Sequence, residues 1–224
     1  MDVEAIWVSV ELAACTTLLL LLFGLPLSFW LTVTRWRFKF LLESLVVLPM
    51  ILPPTILGFY VLVAIGPMSP LGRAYEAMIG HPLAFSFQGL LLASILYSLP
   101  FAVRPFAAGF AGVDRRLIEA SWSLGISRIV TFLRIVCPLA WAGIVTGLVL
   151  SFAHTLGEFG VVLMVGGNIP GVTRTVSIAI YDDVQAVDYQ RAAMTSLVLL
   201  ASSFIALAVT HFLSRKGTVW DLSS

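Results

Sequence analysis

The chain alternates between long apolar runs that contain no charged residue and short segments in which the charges cluster. A helix needs about 20 residues to cross the roughly 30 Å hydrocarbon core of a bilayer. Five of the runs reach that length, and none is long enough to cross twice. The pattern predicts five transmembrane helices, at residues 12–34, 45–66, 83–103, 137–157 and 192–213.

A sixth apolar run, at 159–173, differs from the other five. It has only 15 residues, which is too short for a crossing. Residues that interrupt helices recur in its second half: Gly166, Gly167, Asn168, Pro170 and Gly171. We expect this run to be a re-entrant segment or to lie on the outer side of the membrane.

The composition agrees with a membrane protein. Of 224 residues, 59% are hydrophobic and 11% are charged, whereas soluble domains have about 45–50% apolar and about 25% charged residues. So few charges cannot cover the surface of a soluble fold, which excludes a soluble enzyme, a nucleic-acid-binding protein and a disordered chain. Without repeats or linkers, residues 1–224 are predicted to form one all-α polytopic membrane domain.

Ten of the thirteen basic residues fall on one side of a bundle with five spans. They follow the first span, occupy the loop 104–136, and follow the fifth span. Basic residues concentrate in cytoplasmic segments. We therefore expect a plasma membrane protein (of the inner membrane in a bacterium) with its N-terminus outside and its C-terminus in the cytoplasm. The first run is longer than the apolar part of a signal peptide, so it is expected to remain as a span.

The sequence lacks the motifs of several enzyme classes. It has no GxxxxGK[ST] phosphate loop and no Gly-Lys dipeptide, so ATP is not expected to bind this chain in that manner. The motifs HExxH and GxSxG are also absent, which argues against zinc and serine hydrolases. Two cysteines in predicted spans and three scattered histidines support neither a disulfide framework nor a metal site. We expect no catalytic residue, metal or cofactor in this chain.

Two of the histidines, His154 and His211, lie within predicted spans. A packing or polar role inside the bundle is the favoured interpretation of both. Two other classes of protein stay open at this point. One is a haem-binding electron carrier with axial histidines, and the other is a secondary transporter driven by an ion gradient, which would use ionisable residues within its spans.

The longest basic loop predicts a helix, a turn and a second helix. Asp114 is a good N-cap for a helix over 115–124, Gly125 suits the left-handed position that ends a helix, and Ser127 is suited to cap the next one. Apolar and small residues recur every three or four positions of the first helix, which indicates one face able to dock on a partner: Leu117, Ala120, Ser121 and Leu124. An amphipathic loop that rests on lipid headgroups is the alternative.

The spacing within this loop resembles the EAA loop of ABC-importer permeases, EAA-x3-G-x9-I-x-LP. The matching residues are Glu119, Ala120, Gly125, Ile135 and Pro138, while Ser121 and Cys137 stand where the motif has Ala and Leu. The resemblance implies a coupling helix that docks on a separate ATPase subunit, which binds ATP and Mg. It assigns ATPase coupling to Glu119, Ala120 and Ser121, and the bend after the helix to Gly125.

The C-terminal third is similar to permeases of molybdate transporters. The similarity lies in residues 152–160 (FAHTLGEFG) and in 166–175 (GGNIPGVTRT), and the prolines near residue 50 fit the same family. The wider group moves molybdate, tungstate, sulfate and thiosulfate. The Asn-Ile-Pro-Gly-x-Thr-Arg-Thr string favours molybdate, while tungstate and sulfate or thiosulfate remain as alternatives.

Three prolines fall within the second predicted span, at Pro49, Pro53 and Pro54. Proline removes a backbone donor, and the freed carbonyl is tolerated where it faces protein or a watery cavity. We interpret the three as helix kinks beside the transport pathway, with kinks that serve packing alone as the alternative.

Polar residues around the fourth span are candidates for the pathway or its gate. An acid such as Glu158 at the end of a span is costly unless it is paired or faces water. Arg174 with Thr173 and Thr175 suits a tetrahedral oxyanion, although a loop that contacts a binding protein or shapes a gate is the favoured interpretation. The candidates for the gate or pathway are Thr155, Gly157, Glu158, Asn168 and Arg174.

The resemblance also implies how the chain assembles. Such permeases work by alternating access in complexes with a cytoplasmic ATPase and a periplasmic or extracellular oxyanion-binding protein. A homodimer of this chain, surrounded by membrane lipid, is the expected form. No contact with nucleic acid is expected.

Overall fold

The computed structural model describes residues 2–218, although not the side chains of residue 211 and residues 213–218. His211 therefore lies outside the side chains that the structure describes. Within the described part, the chain forms eleven helices and no strand. They are α1 (Val3–Val33), α2 (Lys39–Ile51), α3 (Pro54–Ile65), α4 (Pro70–Ile79), α5 (Phe87–Ala111), α6 (Arg115–Ser123), α7 (Arg128–Leu139), α8 (Trp141–Gly157), α9 (Gly160–Gly166), α10 (Val176–Gln185) and α11 (Tyr189–Thr218).

Three of these helices, α1, α5 and α11, are long and apolar enough to cross a bilayer unaided. Two further crossings would each be made by a bent pair, α2 with α3 at 114° and α7 with α8 at 77°. The described residues thus provide between three and five spans. The predicted all-α polytopic fold is confirmed, and two of the spans expected from the sequence are broken helices.

The break between α2 and α3 follows from the prolines. Leu52 has extended backbone angles (φ −72°, ψ 138°), because the ring of a following proline disfavours the helical region. Pro53 and Pro54 lack the N–H groups that would continue the helix. Pro49 lies inside α2 and is buried, while Pro53 is exposed at the bend.

The first helix begins well before the charge-free run that predicts it. It starts at Val3, where the Asp2 carboxylate accepts a hydrogen bond of 3.0 Å from the backbone N–H of Ala5. The two acids that interrupt the apolar pattern, Glu4 and Glu11, lie on the exposed face. Helical geometry therefore continues past the charges, because one face carries them while the other packs.

The helix α5 is at the centre of the bundle and packs closely on α8. A Cβ atom placed on Gly143 would lie 2.6 Å from the carbonyl oxygen of Pro105 and 2.7 Å from the Cα of Gly109. One on Gly147 would lie 2.5 Å from the ring of Phe106. Small residues at such interfaces let two backbones approach where lipid provides no hydrophobic driving force. The α5–α8 contact thus depends on glycine.

The short apolar run at 159–173 forms the seven-residue helix α9 and a loop. Val161 and Val165 are fully buried against a cluster that includes Val61 and Ile65 of α3. At 1.5 Å per residue, α9 is only about 10 Å long. It is too short to cross the bundle, and the loop that follows it lies beside the start of α1.

Candidate functional site

The predicted coupling element (α6, the turn at Gly125 and α7) has the helix, turn and helix that the sequence predicts. The Asp114 side chain accepts a hydrogen bond of 2.9 Å from the N–H of Arg116 at the start of α6. Gly125 follows with a left-handed φ of 77°, and Ser127 caps α7 through the N–H of Val130 at 3.4 Å. Each cap falls at its predicted residue because capping depends on local sequence.

The face of α6 that packs on the bundle differs from the apolar face that the sequence indicates. Ile118, 7% exposed, joins the core cluster that contains Phe106 and Phe110. Leu117 and Leu124 are 47% and 80% exposed. The face that the sequence predicts to dock on a partner therefore points away from the bundle, except for Ser121, which is buried. Its exposed leucines remain available to a partner, since a different residue anchors the helix.

The three EAA positions are divided between the surface and the interior. Glu119 and Ala120 are exposed. Ser121 is 3% exposed, and its Oγ lies 2.8 Å from Oγ1 of Thr131 in α7. The serine thus hydrogen-bonds α6 to α7, while its two neighbours face outward.

A cleft of about 570 Å³ lies where the α2–α3 break meets the end of α8. It brings together three of the sequence candidates, Pro54, Gly157 and Glu158. A Cβ on Gly160 would lie 2.7 Å from Cβ of Pro54, so only a glycine lets the chain after Glu158 pass over the proline. The lining consists of Pro54, Thr55, Tyr97, Ala153, His154, Gly157, Glu158, Phe159 and Gly160.

Glu158 is the unusual member of the cleft. It follows the last residue of α8 with extended backbone angles and is 4% exposed. Neither carboxylate oxygen has a hydrogen-bond partner within the described part of the chain. Arg174, the nearest basic residue in the sequence, does not pair with it, because that arginine binds the carboxylates of Asp2 and Asp182.

The neighbouring candidate Thr155 belongs to a buried polar contact between α5 and α8. Ser98 Oγ lies 2.9 Å from Oγ1 of Thr155 and 3.0 Å from Nδ1 of His154. The Thr155 hydroxyl also lies 2.9 Å from the carbonyl of Ser151. The imidazole of His154 stacks on the ring of Phe101 at 3.8 Å. These contacts give His154 the packing and polar role that the sequence analysis favours.

The remaining two candidates, Asn168 and Arg174, meet at the end of the bundle where α1 begins, apart from the cleft. Nη2 of Arg174 lies 3.1 Å from the Asp182 carboxylate, and Nε lies 3.5 Å from that of Asp2. Nδ2 of Asn168 donates to Asp182 at 2.8 Å. We call these four residues the outer cluster. The outer cluster connects the loop after α9 to the start of α1 and to α10. Because two carboxylates already bind the guanidinium of Arg174, it is not free to bind an anion.

Replacing Arg174 by glutamine is expected to destabilise this outer region. Two carboxylates would then face each other without a cation, in a site where the arginine side chain is 25% exposed. A partly exposed pair contributes only about 1 kcal/mol, so we expect a small decrease in Tm and faster proteolysis of the loop 167–175 in detergent. The control is Arg191→Gln. Arg191 forms an ion pair with Asp188 that is longer, at 3.9 Å, and more exposed to solvent. Equal losses in both variants would contradict a special role of the outer cluster.

Several residues of these sites were missed by sequence reasoning. Asp2 and Asp182 carried no pattern that linked them to Arg174. Ser94, Tyr97 and Ser98 did carry a signal, because residues three and four apart share one face of a helix. That polar face of α5 points at the end of α8.

Comparisons with known proteins agree with this architecture. Residues 21–218 match the family described as binding-protein-dependent transport system inner membrane component. A molybdenum transport system permease protein of Azotobacter vinelandii is 45% identical over 206 residues, which cover 92% of this chain and 91% of the relative. Its counterpart in Escherichia coli K12 is 34% identical over 213 residues, or 95% and 93% of the two chains.

Solved structures share the fold at low identity. A bacterial alginate ABC transporter, crystallised in complex with an alginate pentasaccharide-bound periplasmic protein, has a TM-score of 0.70 and 18% identity. The match covers 99% of this chain and 80% of that one. The family match extends over nearly the whole chain, from within α1 to the end of α11. The chain is a member of the family of binding-protein-dependent transport system inner membrane components.

Proposed function

We propose that this chain is the membrane-spanning permease subunit of an ATP-driven importer of molybdate. The observation that carries this proposal is the coupling helix α6, which is anchored to the core by Ile118 and presents Glu119 and Ala120 outward. A helix held in this way moves with the bundle and leaves one face free for an external motor.

The substrate assignment rests on sequence. The relatives at 45% and 34% identity are both molybdenum transport permeases, and residues 168–175 carry the Asn-Ile-Pro-Gly-Val-Thr-Arg-Thr string. Tungstate and sulfate or thiosulfate are the alternative cargoes, because tetrahedral oxyanions share the same acceptor geometry. The structure places the string in a loop fixed by the outer cluster, where Arg174 meets carboxylates.

A separate subunit supplies ATP hydrolysis in this proposal. The sequence has no Gly-Lys dipeptide, so this chain has no phosphate loop of the Walker type. ATP and Mg belong to the partner, whose docking groove receives the exposed side of α6. Leu117 and Leu124 offer the apolar contact for that groove, and Gly125 sets the angle between the docked helix and α7.

The assembly contains two copies of this chain and a binding protein on the outer side. The cleft beside Glu158 is not enclosed by the single chain, and a second copy would close it into a pathway. The alginate transporter with the same fold was crystallised with its periplasmic protein, which supports an outer partner here. Transport follows alternating access, with the N-terminus outside and the C-terminus in the cytoplasm of the inner membrane.

The proposal is tested by reconstituting the chain in vesicles with its ATPase and binding protein. We expect ATP-dependent uptake of molybdate and much slower uptake of sulfate, measured with each oxyanion in turn and with tungstate. Vesicles that lack this chain, but contain the other two proteins, are the control. Sulfate uptake equal to that of molybdate would overturn the substrate assignment.

The same vesicles separate the proposal from an ion-gradient-driven transporter. Uptake should stop without ATP and continue when the proton gradient is collapsed. The reverse result, uptake that survives loss of ATP and stops with the gradient, would contradict an ATP-driven importer.

A further inference from the structure

The carboxyl group of Glu158 is not used by the coupling mechanism, and it is buried without a partner. The hydroxyl of Ser94 is the polar side-chain group beside it. Both carboxylate oxygens and that hydroxyl are shielded from water, and none of the three makes a well-formed hydrogen bond among the described residues. Burying a polar group in this way costs free energy, and burying an isolated charge costs far more. A membrane protein keeps such a residue where it serves a function.

The surroundings of Glu158 contain no positive charge that would stabilise a carboxylate. The titratable groups of the cleft are the phenol of Tyr97 on α5 and the imidazole of His154 on α8, while α3 contributes Pro54 and Thr55. The lining contains no lysine or arginine. Arg174 is bound in the outer cluster. The site therefore suits the neutral acid better than the ion.

A neutral carboxylic acid changes what the cleft offers to an anion. It donates a hydrogen bond through its O–H, as do the hydroxyls of Thr55 and Tyr97. An oxyanion such as molybdate has only acceptor atoms, so it needs donors. Neutral donors bind it without the strong attraction of a cation, and an ion that is bound weakly is able to leave.

We propose that Glu158 acts in the transport pathway as a neutral acid that donates a hydrogen bond to the passing oxyanion, beside Thr55 and Tyr97. This inference rests on the proposed function. No proton is transferred in the step, because the acid keeps its proton and shares it as a hydrogen bond. When Glu158 is ionised, its charge repels the dianion and it has no proton to donate, so the pathway is blocked.

The proposal is tested by comparing the wild type with Glu158→Gln in the reconstituted importer. Glutamine has nearly the shape of the neutral acid, keeps a donor, and has no charge at any pH. Molybdate uptake per ATP hydrolysed is measured between about pH 6 and about pH 9, because burial without a counter-charge moves the titration of a carboxylic acid above its ordinary range. Taking the ratio of variant to wild type at each pH cancels the pH dependence of the ATPase, the binding protein and the substrate.

We expect Glu158→Gln to match the wild type at the acidic end and to exceed it at the alkaline end. Loss of a single proton lowers the neutral fraction by up to about tenfold per pH unit, so the ratio should rise with up to that slope. Glu158→Leu, which is neutral but donates nothing, should transport less at every pH. In Tyr97→Phe and in His154→Gln, molybdate uptake should still decrease at alkaline pH, since Glu158 is still present and can ionise.

Infrared spectra of the chain in lipid give a second measurement that is independent of uptake. The carbonyl band of a neutral carboxylic acid should be present at neutral pH and absent in Glu158→Gln. The proposal would be overturned if the wild type and Glu158→Gln had parallel pH profiles. It would also be overturned if the carbonyl band were absent from the wild type, or if Glu158→Gln failed to assemble with the ATPase. Failure of the proposed function is a different result, because the wild type would then take up no molybdate at any pH.

Discussion

Replacing Gly125 by valine is expected to uncouple molybdate uptake from ATP hydrolysis. The residue has a φ of 77°, and a Cβ there would meet no atom within 4 Å. The effect is therefore on the backbone, where the left-handed conformation costs an ordinary residue about 1–2 kcal/mol. A valine would therefore leave the left-handed region and reshape the turn between α6 and α7, so that movement of the docked helix would no longer reach the bundle. We expect uptake per ATP to fall about tenfold or more in vesicles.

The matched control is Gly80→Val. Gly80 also has a left-handed φ, of 89°, and open space around its Cβ position, but it ends α4, away from the coupling element. Both substitutions place a valine in the left-handed conformation at a similar cost in free energy. The two variants should therefore differ in uptake per ATP hydrolysed and not in stability. Glu119→Ala should reduce coupling as well, since it removes an exposed charge from the docking face. Normal uptake in Gly125→Val and Glu119→Ala would contradict the coupling-helix assignment.

Replacing Gly143 by valine is expected to prevent the bundle from closing. The new side chain would start 2.6 Å from the carbonyl oxygen of Pro105 and 2.7 Å from the Cα of Gly109. Both of these are backbone atoms, which cannot rotate away as the end of a side chain would. Overpacking of this kind costs about 1–3 kcal/mol and occasionally more. We expect a large decrease in Tm and in the yield of monodisperse protein in detergent.

Gly157→Ala is the control for that substitution. Gly157 is a glycine of the same helix, and a Cβ atom at that position would meet nothing within 4 Å. Its stability should match that of the wild type. If Gly143→Val were as stable as Gly157→Ala, the close approach of α5 and α8 would be wrong.

The coupling element was predictable in detail because its structure is set by residues near one another. Asp114, Gly125 and Ser127 act on backbone groups two or three residues away, and such local rules are legible in a sequence. The face on which the helix packs was not predictable. Ile118 and Leu117 are equally apolar neighbours, and only the position of Phe106 and Phe110 selects the first.

The pathway candidates were only partly predictable. A helix break at the prolines and a costly acid at Glu158 both follow from single residues. Their meeting in one cleft joins segments about a hundred positions apart, which no local pattern records. Arg174 was a candidate for an oxyanion because threonines flank it, and nothing in the sequence linked it to its partners: Asp2 is at the other end of the chain and Asp182 lies on a separate helix, α10.

The sequence by itself determined that the chain is helical, that it resides in a membrane, and where the coupling helix caps and turns. Length, charge and local capping suffice for those conclusions. The tertiary structure alone decided which apolar face is core and which faces lipid, where glycines bring α5 and α8 together, and which polar residues meet. The physical reason is that lipid is as apolar as the protein core. The contrast between polar and apolar positions, which reveals the buried face of a helix in water, is therefore absent from a span.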